Sequence, residues 1–326
     1  MLLNIFKINN YSAYVYLLLF SLGLGIFAVN LTVNVDVFKN SVLSFFIHST
    51  DWGILSKIGG VLLLLINVFI FDLFMTSQEV SEKNNHVPAF LLGIFLCYPL
   101  SQNPLHPLLF AQLLVSVSLW YFVSVYKSDR ALSPVFNGAF CLSATTIFYP
   151  PFIVFIVMCF ICLLILRPFV LREWILVLIG IALPYFFYIS LLFLFDKNIQ
   201  NPTLNLANSF HAPSIPTYIK GSFLINLSLG IIAVFALIFF LIKTVSNIIK
   251  TQKTFVVFMW IFLLSIPTWF IISTGGAFSA LLSAMPLSVF CGIYIGNTKR
   301  RILAELLLWF LLSVFIVSML QQSSII

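Results

Sequence analysis

Apolar residues run along this chain in long unbroken blocks, separated by short polar stretches and showing no two-residue alternation. The blocks extend from Tyr11 to Val29, Gly53 to Met75 and Pro88 to Leu100, then, after the segment Gln102 to Pro107, up to Tyr126, and from Val135 to Tyr149 and Pro151 to Leu166. They continue from Trp174 to Phe195, Ser222 to Ile242, Phe255 to Ser273, Phe278 to Ile295 and Ile302 to Leu320. A helix needs roughly 20 apolar residues to cross a hydrocarbon core about 30 Å thick, and most of these blocks approach that length. Continuous runs satisfy every backbone group inside one helix, whereas a membrane barrel would show ten-residue alternating segments, so helices are predicted. Tyr149, Pro150 and Pro151 predict a tight turn, because the residue before a proline is pushed out of the helical region. The two short blocks around that turn form a hairpin. Either both cross or neither does, since removing one alone would invert everything downstream.

Composition fixes the solvent. Hydrophobic residues make up 62% of the 326 and charged residues 8%, with a mean hydropathy of +1.14, against a soluble norm of about one charged residue in four. The chain is therefore expected to be all-α, a polytopic transmembrane helical bundle of about eleven spans. It forms a single integral membrane domain over residues 1–326, with no room for a soluble one. The first block follows a single early cation, Lys7, has no small-residue cleavage site after Ala28, and reads as an uncleaved span.

Charge orients the bundle. With the N-terminus in the cytoplasm, twelve cations fall on that side: Lys7, Lys83, Lys127, Arg130, Arg167, Arg172, Lys243, Lys250, Lys253, Lys299, Arg300 and Arg301. Four fall on the other: Lys39, Lys57, Lys197 and Lys220. This bias predicts a cytoplasmic N-terminus, an external C-terminus and a multi-pass place in a bacterial inner membrane. The net charge of +7 is scattered in ones, twos and threes between spans, which excludes a nucleic-acid patch. All five cysteines lie inside apolar runs and act as small hydrophobes, with no disulfide framework implied. Cys159 and Cys162 form a CxxC among Phe, Ile and Leu, where a redox role is not expected.

Polar residues in or beside spans are costly, so each is a candidate. Asp72, near the inner end of its span, is expected to reach the cytoplasmic interface. Lys57 can snorkel to external headgroups. Asn67 and Asn137 are expected to bond neighbouring helices. The external face collects Asp36, His48, Asp51, His106, Asp196 and His211, while His86 alone of the histidines lies inside. No metal-ligand spacing links these histidines, so no metal is expected, and they read as residues that meet headgroups or cap helices. No cofactor motif is present. Arg167, Arg172 and Glu173 can hold a phosphate through the arginine fork, or simply flank spans on the positive side. The connection from Asp196 to Gly221 can be a lid or a plain connector. No internal repeat is visible, and Gly23 and Gly25 in the first block have no counterpart in the sixth.

The segment FNGAFCLSATTIFYPPFIVFIVMCFICLLILRPFVLREWILVLIGIALPYFFY, Phe136 to Tyr188, resembles a family of polytopic bacterial inner-membrane proteins of unassigned activity. Some of its members carry a carotenoid-oxygenase label, which an all-helical chain does not support. The same stretch is similar in style to the C superfamily of membrane glycosyltransferases. That second resemblance implies an enzyme acting on a polyprenyl-phosphate sugar at the outer face, with Asp36 or Asp51 as the acid/base group. Lys57 would meet the lipid phosphate, and His48, His106 and His211 would serve as further substrate-binding groups. The first external connection is short and lacks the adjacent acidic pair often seen in that superfamily.

Three classes of function follow. A membrane enzyme on a lipid-linked substrate needs Asp36 or Asp51 and an external histidine to converge. A transporter or flippase needs Asn67, Asn137, Thr145 and Thr146 around a midplane cavity. A noncatalytic subunit needs a flat apolar face for a membrane protein partner. Membrane lipids are expected partners in all three.

Overall fold

The computed structural model describes residues 11–32, 53–80, 85–128, 131–194, 230, 249–271, 277–297 and 301–323. Its helices are α1 (Tyr11–Asn30), α2 (Gly53–Ser77), α3 (Val87–Gln102), α4 (Pro107–Ser124), α5 (Leu132–Phe148), α6 (Ile156–Leu166), α7 (Leu171–Leu194), α8 (Ile249–Ile271), α9 (Ala277–Leu281), α10 (Ala284–Asn297) and α11 (Arg301–Ser323). A 3₁₀ turn, Pro150–Phe155, leads into α6. No strand occurs among the described residues. Asp36, His48, Asp51 and His211, and the block Ser222–Ile242, lie outside the described residues.

Proline sets several boundaries. Val87–Gln102 and Pro107–Ser124 each carry proline in the first turn, where its missing N–H would have had no helical acceptor anyway. The block Phe278–Ile295 is broken into α9 and α10 at residues 282–283. The cause is Pro286: in an uninterrupted helix its ring would collide with the carbonyl of Leu282. Helix α2 stops on a left-handed turn. Val80 N–H reaches back to the Met75 carbonyl at 3.1 Å, with Glu79 at φ 55°, a conformation glycine usually supplies.

Helix α3 is buried along its whole length, and α1, α2, α10 and α11 pack around it. Glycines allow the close approaches: a Cβ on Gly292 would sit 2.6 Å from Pro88, and one on Gly60 would run into the Pro104 carbonyl. Close backbone contact of this kind is how helices associate in a solvent as apolar as their own side chains. On a second flank α5 packs between α4 and α7. Ser118 donates to the Gly138 carbonyl at 2.8 Å and Ser143 to the Ile181 carbonyl at 2.7 Å.

The outward faces are apolar. Phe186 on α7 is 64% exposed, and Leu178, Ile179, Phe193, Leu306, Trp309 and Phe310 are also exposed, while Asn67, Asp72, His86 and Gln112 are buried. Six helices are long and apolar enough to cross a membrane, and Val87–Gln102, Leu132–Phe148, Pro150–Leu166 and Ala284–Gly296 are shorter apolar helices. The protein is a multi-pass helical membrane protein.

The bundle has two distinct ends. Lys253 lies over the Tyr126 ring at 5.2 Å, Thr251 bonds the Glu79 carbonyl, and Leu132 shares a groove with Arg172. These contacts gather Lys127, Arg167, Arg172, Lys250 and Lys253 at one end. Lys57 belongs to the other end, one turn from Gly60 and its contact with Pro104.

Candidate functional site

Two clusters of buried polar side chains stand out, one near each end of the bundle. Near the cation-rich end, α2 carries Asp72 and the residue before α3 is His86. The imidazole Nδ1–H lies 2.9 Å from both carboxylate oxygens of Asp72, with the two side chains 3% and 1% exposed. Tyr14 of α1 presents its ring to His86 at 4.5 Å, edge on. Asn85 donates to the Gly292 carbonyl at 3.2 Å and accepts from Val87 N–H at 3.2 Å. Asp72 therefore does not reach the interface as its position suggested. The connection between α2 and α3 is short enough to bring a buried partner over it, which removes the carboxylate's need for water.

The opposite cluster is built differently. His106 occupies the turn between α3 and α4, outside either helix, and caps α4: its Nδ1 accepts from Leu108 N–H at 3.1 Å. An accepting Nδ1 places the ring proton on Nε2. That Nε2 is buried and has no hydrogen-bond partner among the described residues. The ring stacks on Phe278 at 4.6 Å and lies 6.3 Å from Tyr149. Burial pushes the imidazole down to about 3, so it is a neutral donor at physiological pH. Gln102 at the end of α3 is buried with its Nε2 likewise without a partner, and deeper in α4 the same holds for both amide atoms of Gln112. Asn67 donates to the Leu63 carbonyl at 2.9 Å and across to the Leu109 carbonyl at 3.1 Å. Gln112 follows Leu109 by three residues and so lies on the same side of α4.

Of the residues singled out from sequence, Lys57 and His106 are brought to the same end, Lys57 exposed and His106 buried. His106 does cap a helix, and Asn67 does bond a neighbouring one. Of the groups expected around a midplane cavity, Thr145 bonds the Leu142 carbonyl and Thr146 bonds the Ser143 carbonyl and Tyr185, while Asn67 uses its amide N–H but leaves its Oδ1 without a partner among the described residues. No trio of His, Cys, Asp or Glu able to hold a metal stands together among the described residues. Gln112 carries a visible signal, an amide inside an apolar run, whereas Gln102 stands in the connection that leads to Pro107 and carries none.

The sequence matches, over residues 17–324, a family described as a family of unknown function, DUF6427. The chain belongs to DUF6427. No curated protein and no solved structure matches it. In this DUF6427 protein the chemistry available at the unpaired cluster is hydrogen-bond donation. A neutral imidazole N–H and a primary amide N–H are each buried near this end, and deeper in α4 a second amide can donate and accept. Hydrogen-bond acceptors are the complement.

Proposed function

We propose that this DUF6427 protein acts at its outer face on a lipid-linked substrate carrying a polyprenyl phosphate and a sugar, in the manner of a membrane glycosyltransferase. The observation that carries the reading is the buried Nε2–H of His106, without a partner among the described residues, with the Gln102 amide near the same end. A buried donor without a partner costs roughly 1–3 kcal/mol, so a fold that keeps two near one end has a use for them. Lys57 at that end supplies a cation for the phosphate. Asp36 or Asp51 supplies the acid/base carboxylate, and His48 and His211 add substrate contacts. The cation-rich end is the cytoplasmic one on the positive-inside argument, which makes the His106 end external.

Eleven crossings with a cytoplasmic N-terminus, in a bacterial inner membrane, fit the helix directions. Tyr14 of α1 meets His86 at the cation-rich end, α5 and α7 run parallel, and α8 starts at the cation-rich end although α7 finishes at the other. The connection from Leu194 to Ile249 therefore links opposite ends.

The test uses full-length protein in nanodiscs with a polyprenyl-phosphate hexose. Wild type should bind the lipid and, with water as the acceptor that forms the new C1–O bond, release polyprenyl phosphate and free hexose. His106→Leu should weaken binding about tenfold, the value of one lost hydrogen bond to a charged group. Asp36→Asn or Asp51→Asn should stop turnover while binding persists. Absence of binding by wild type rejects the substrate class, and full turnover in both Asp variants rejects the acid/base assignment.

A further inference from the structure

A groove of about 530 Å³ opens at the cation-rich end between the first turns of α5 and α7. Gly180 holds the two helices together, its missing Cβ leaving 2.9 Å to the Ala139 Cβ and 3.1 Å to the Phe136 carbonyl. Toward their first turns the helices part. Leu132, Ser133 and Phe136 form one wall, and Leu171, Arg172 and Ile175 the other. The floor is apolar and the mouth carries a guanidinium and a hydroxyl.

Electrostatics at the mouth is one-sided. Glu173, the acid next to Arg172, is buried and held by Arg167 at 3.1 Å, and no acid among the described residues pairs with Arg172. Both helices begin here, so both dipoles direct their positive ends at the opening. Ala131 before α5 offers no side-chain cap, and the first-turn amides of a helix lack intrahelical acceptors. Leu171 is 63% exposed, and Ile175, Leu178, Ile179 and Phe186 continue an exposed apolar stripe up α7. From Leu171 to Phe186 that stripe is about 22 Å long at the helical rise, comparable to an extended acyl chain.

We propose that this groove is a selective site for an anionic phospholipid of the leaflet at the cation-rich end. The phosphate sits on Arg172 and Ser133, and one acyl chain follows Phe136, Ile175 and the outer face of α7. The membrane surrounding the protein supplies the occupant, and charge complementarity selects an anionic lipid over a zwitterionic one. The site is independent of the external chemistry proposed above.

The experiment is native mass spectrometry and thermal unfolding of the full-length protein in detergent, with phosphatidylglycerol, phosphatidylcholine or glycerol phosphate added. Wild type should retain phosphatidylglycerol about tenfold better than phosphatidylcholine, because the choline cation is repelled by Arg172 and the two positive helix ends while both lipids offer the same phosphate. Arg172→Gln, at an exposed position, should erase that preference, and Arg172→Lys should keep part of it. Ile175→Trp, which fills the groove, should lower retention of both lipids. Equal retention of the two lipids by wild type, or an unchanged preference in Arg172→Gln, overturns the site. Stabilisation by glycerol phosphate equal to that by phosphatidylglycerol overturns the lipid assignment in favour of a soluble phosphate.

Discussion

The two ends of the bundle treat most of their buried polar groups differently. Near the cation-rich end Asp72 faces His86, Asn85 bonds both the Gly292 carbonyl and Val87 N–H, and Glu173 forms an ion pair with Arg167, whose Nη1 lies 3.1 Å away without hydrogen-bond geometry. Near the other end His106 Nε2, Gln102 Nε2 and, deeper, the Gln112 amide are equally buried but without partners among the described residues. In a medium with no water the first arrangement fastens helices together. On the function proposed above, the second leaves bonds open for a substrate. That reading assigns stability and function to different ends, and each assignment can be broken separately.

The largest effect is expected at the paired end. His86→Ala leaves the Asp72 carboxylate buried beside an empty space, which costs about 3–5 kcal/mol for a broken buried pair. The double change Asp72→Leu with His86→Leu should recover most of that, because two apolar groups leave nothing unsatisfied. Unfolding by SDS titration in mixed micelles measures both. If His86→Ala is no less stable than wild type, the pair is not a fastener, and an ionic role in transport becomes the better account. Next in size, Gly292→Ala brings a methyl to within 2.6 Å of Pro88 and should cost about 1–3 kcal/mol by overpacking. A neutral result would mean that α3 and α10 are not packed this tightly.

Much of the architecture was legible in the sequence. The apolar block beginning at Tyr11 ends within a residue of α1, and the Pro150–Pro151 turn lies where α5 hands over to the 3₁₀ segment. What was not legible was lateral pairing. Asp72 lies on one span and His86 just before the next, and block lengths alone do not say whether a carboxylate near a helix end turns outward to headgroups or inward to a partner. The Phe278–Ile295 block shows a second limit: hydropathy averages over Pro286, so a break of one turn leaves no trace in it. At the candidate site, capping by His106 was one of the two roles, with headgroup contact, that its place between spans allowed. The unpaired state of its other nitrogen did not, because that depends on which helices enclose it.

A third effect separates the ends by pH. His106 falls to about 3 from an ordinary 6.5, so below pH 6.5 the unfolded chain binds a proton that the native one refuses. Stability is whole above that value and should decline as pH falls toward 3, by at most about 1.4 kcal/mol per pH unit for this group. His106→Leu should remove that slope while leaving the Asp72 and His86 pair untouched. An identical pH profile for the variant and wild type would show that the imidazole is reached by water and is not the dry donor described above.

The smallest effect is the sharpest discriminator, because its sign is opposite for the two ends. Gln112 is fully buried and its amide makes no bond to the described fold. Leucine has a similar volume and no polar atoms, so Gln112→Leu removes a desolvation cost without opening a cavity and should stabilise the protein by about 1 kcal/mol. A fastening residue changed in this way can only lose stability. Binding of a polyprenyl-phosphate hexose should weaken in the same variant, a gain in stability matched by a loss of affinity. If stability falls instead, Gln112 is already bonded within the folded protein, through water or a segment beyond the described residues, and the contrast between a fastened end and a reserved one fails at its deepest residue.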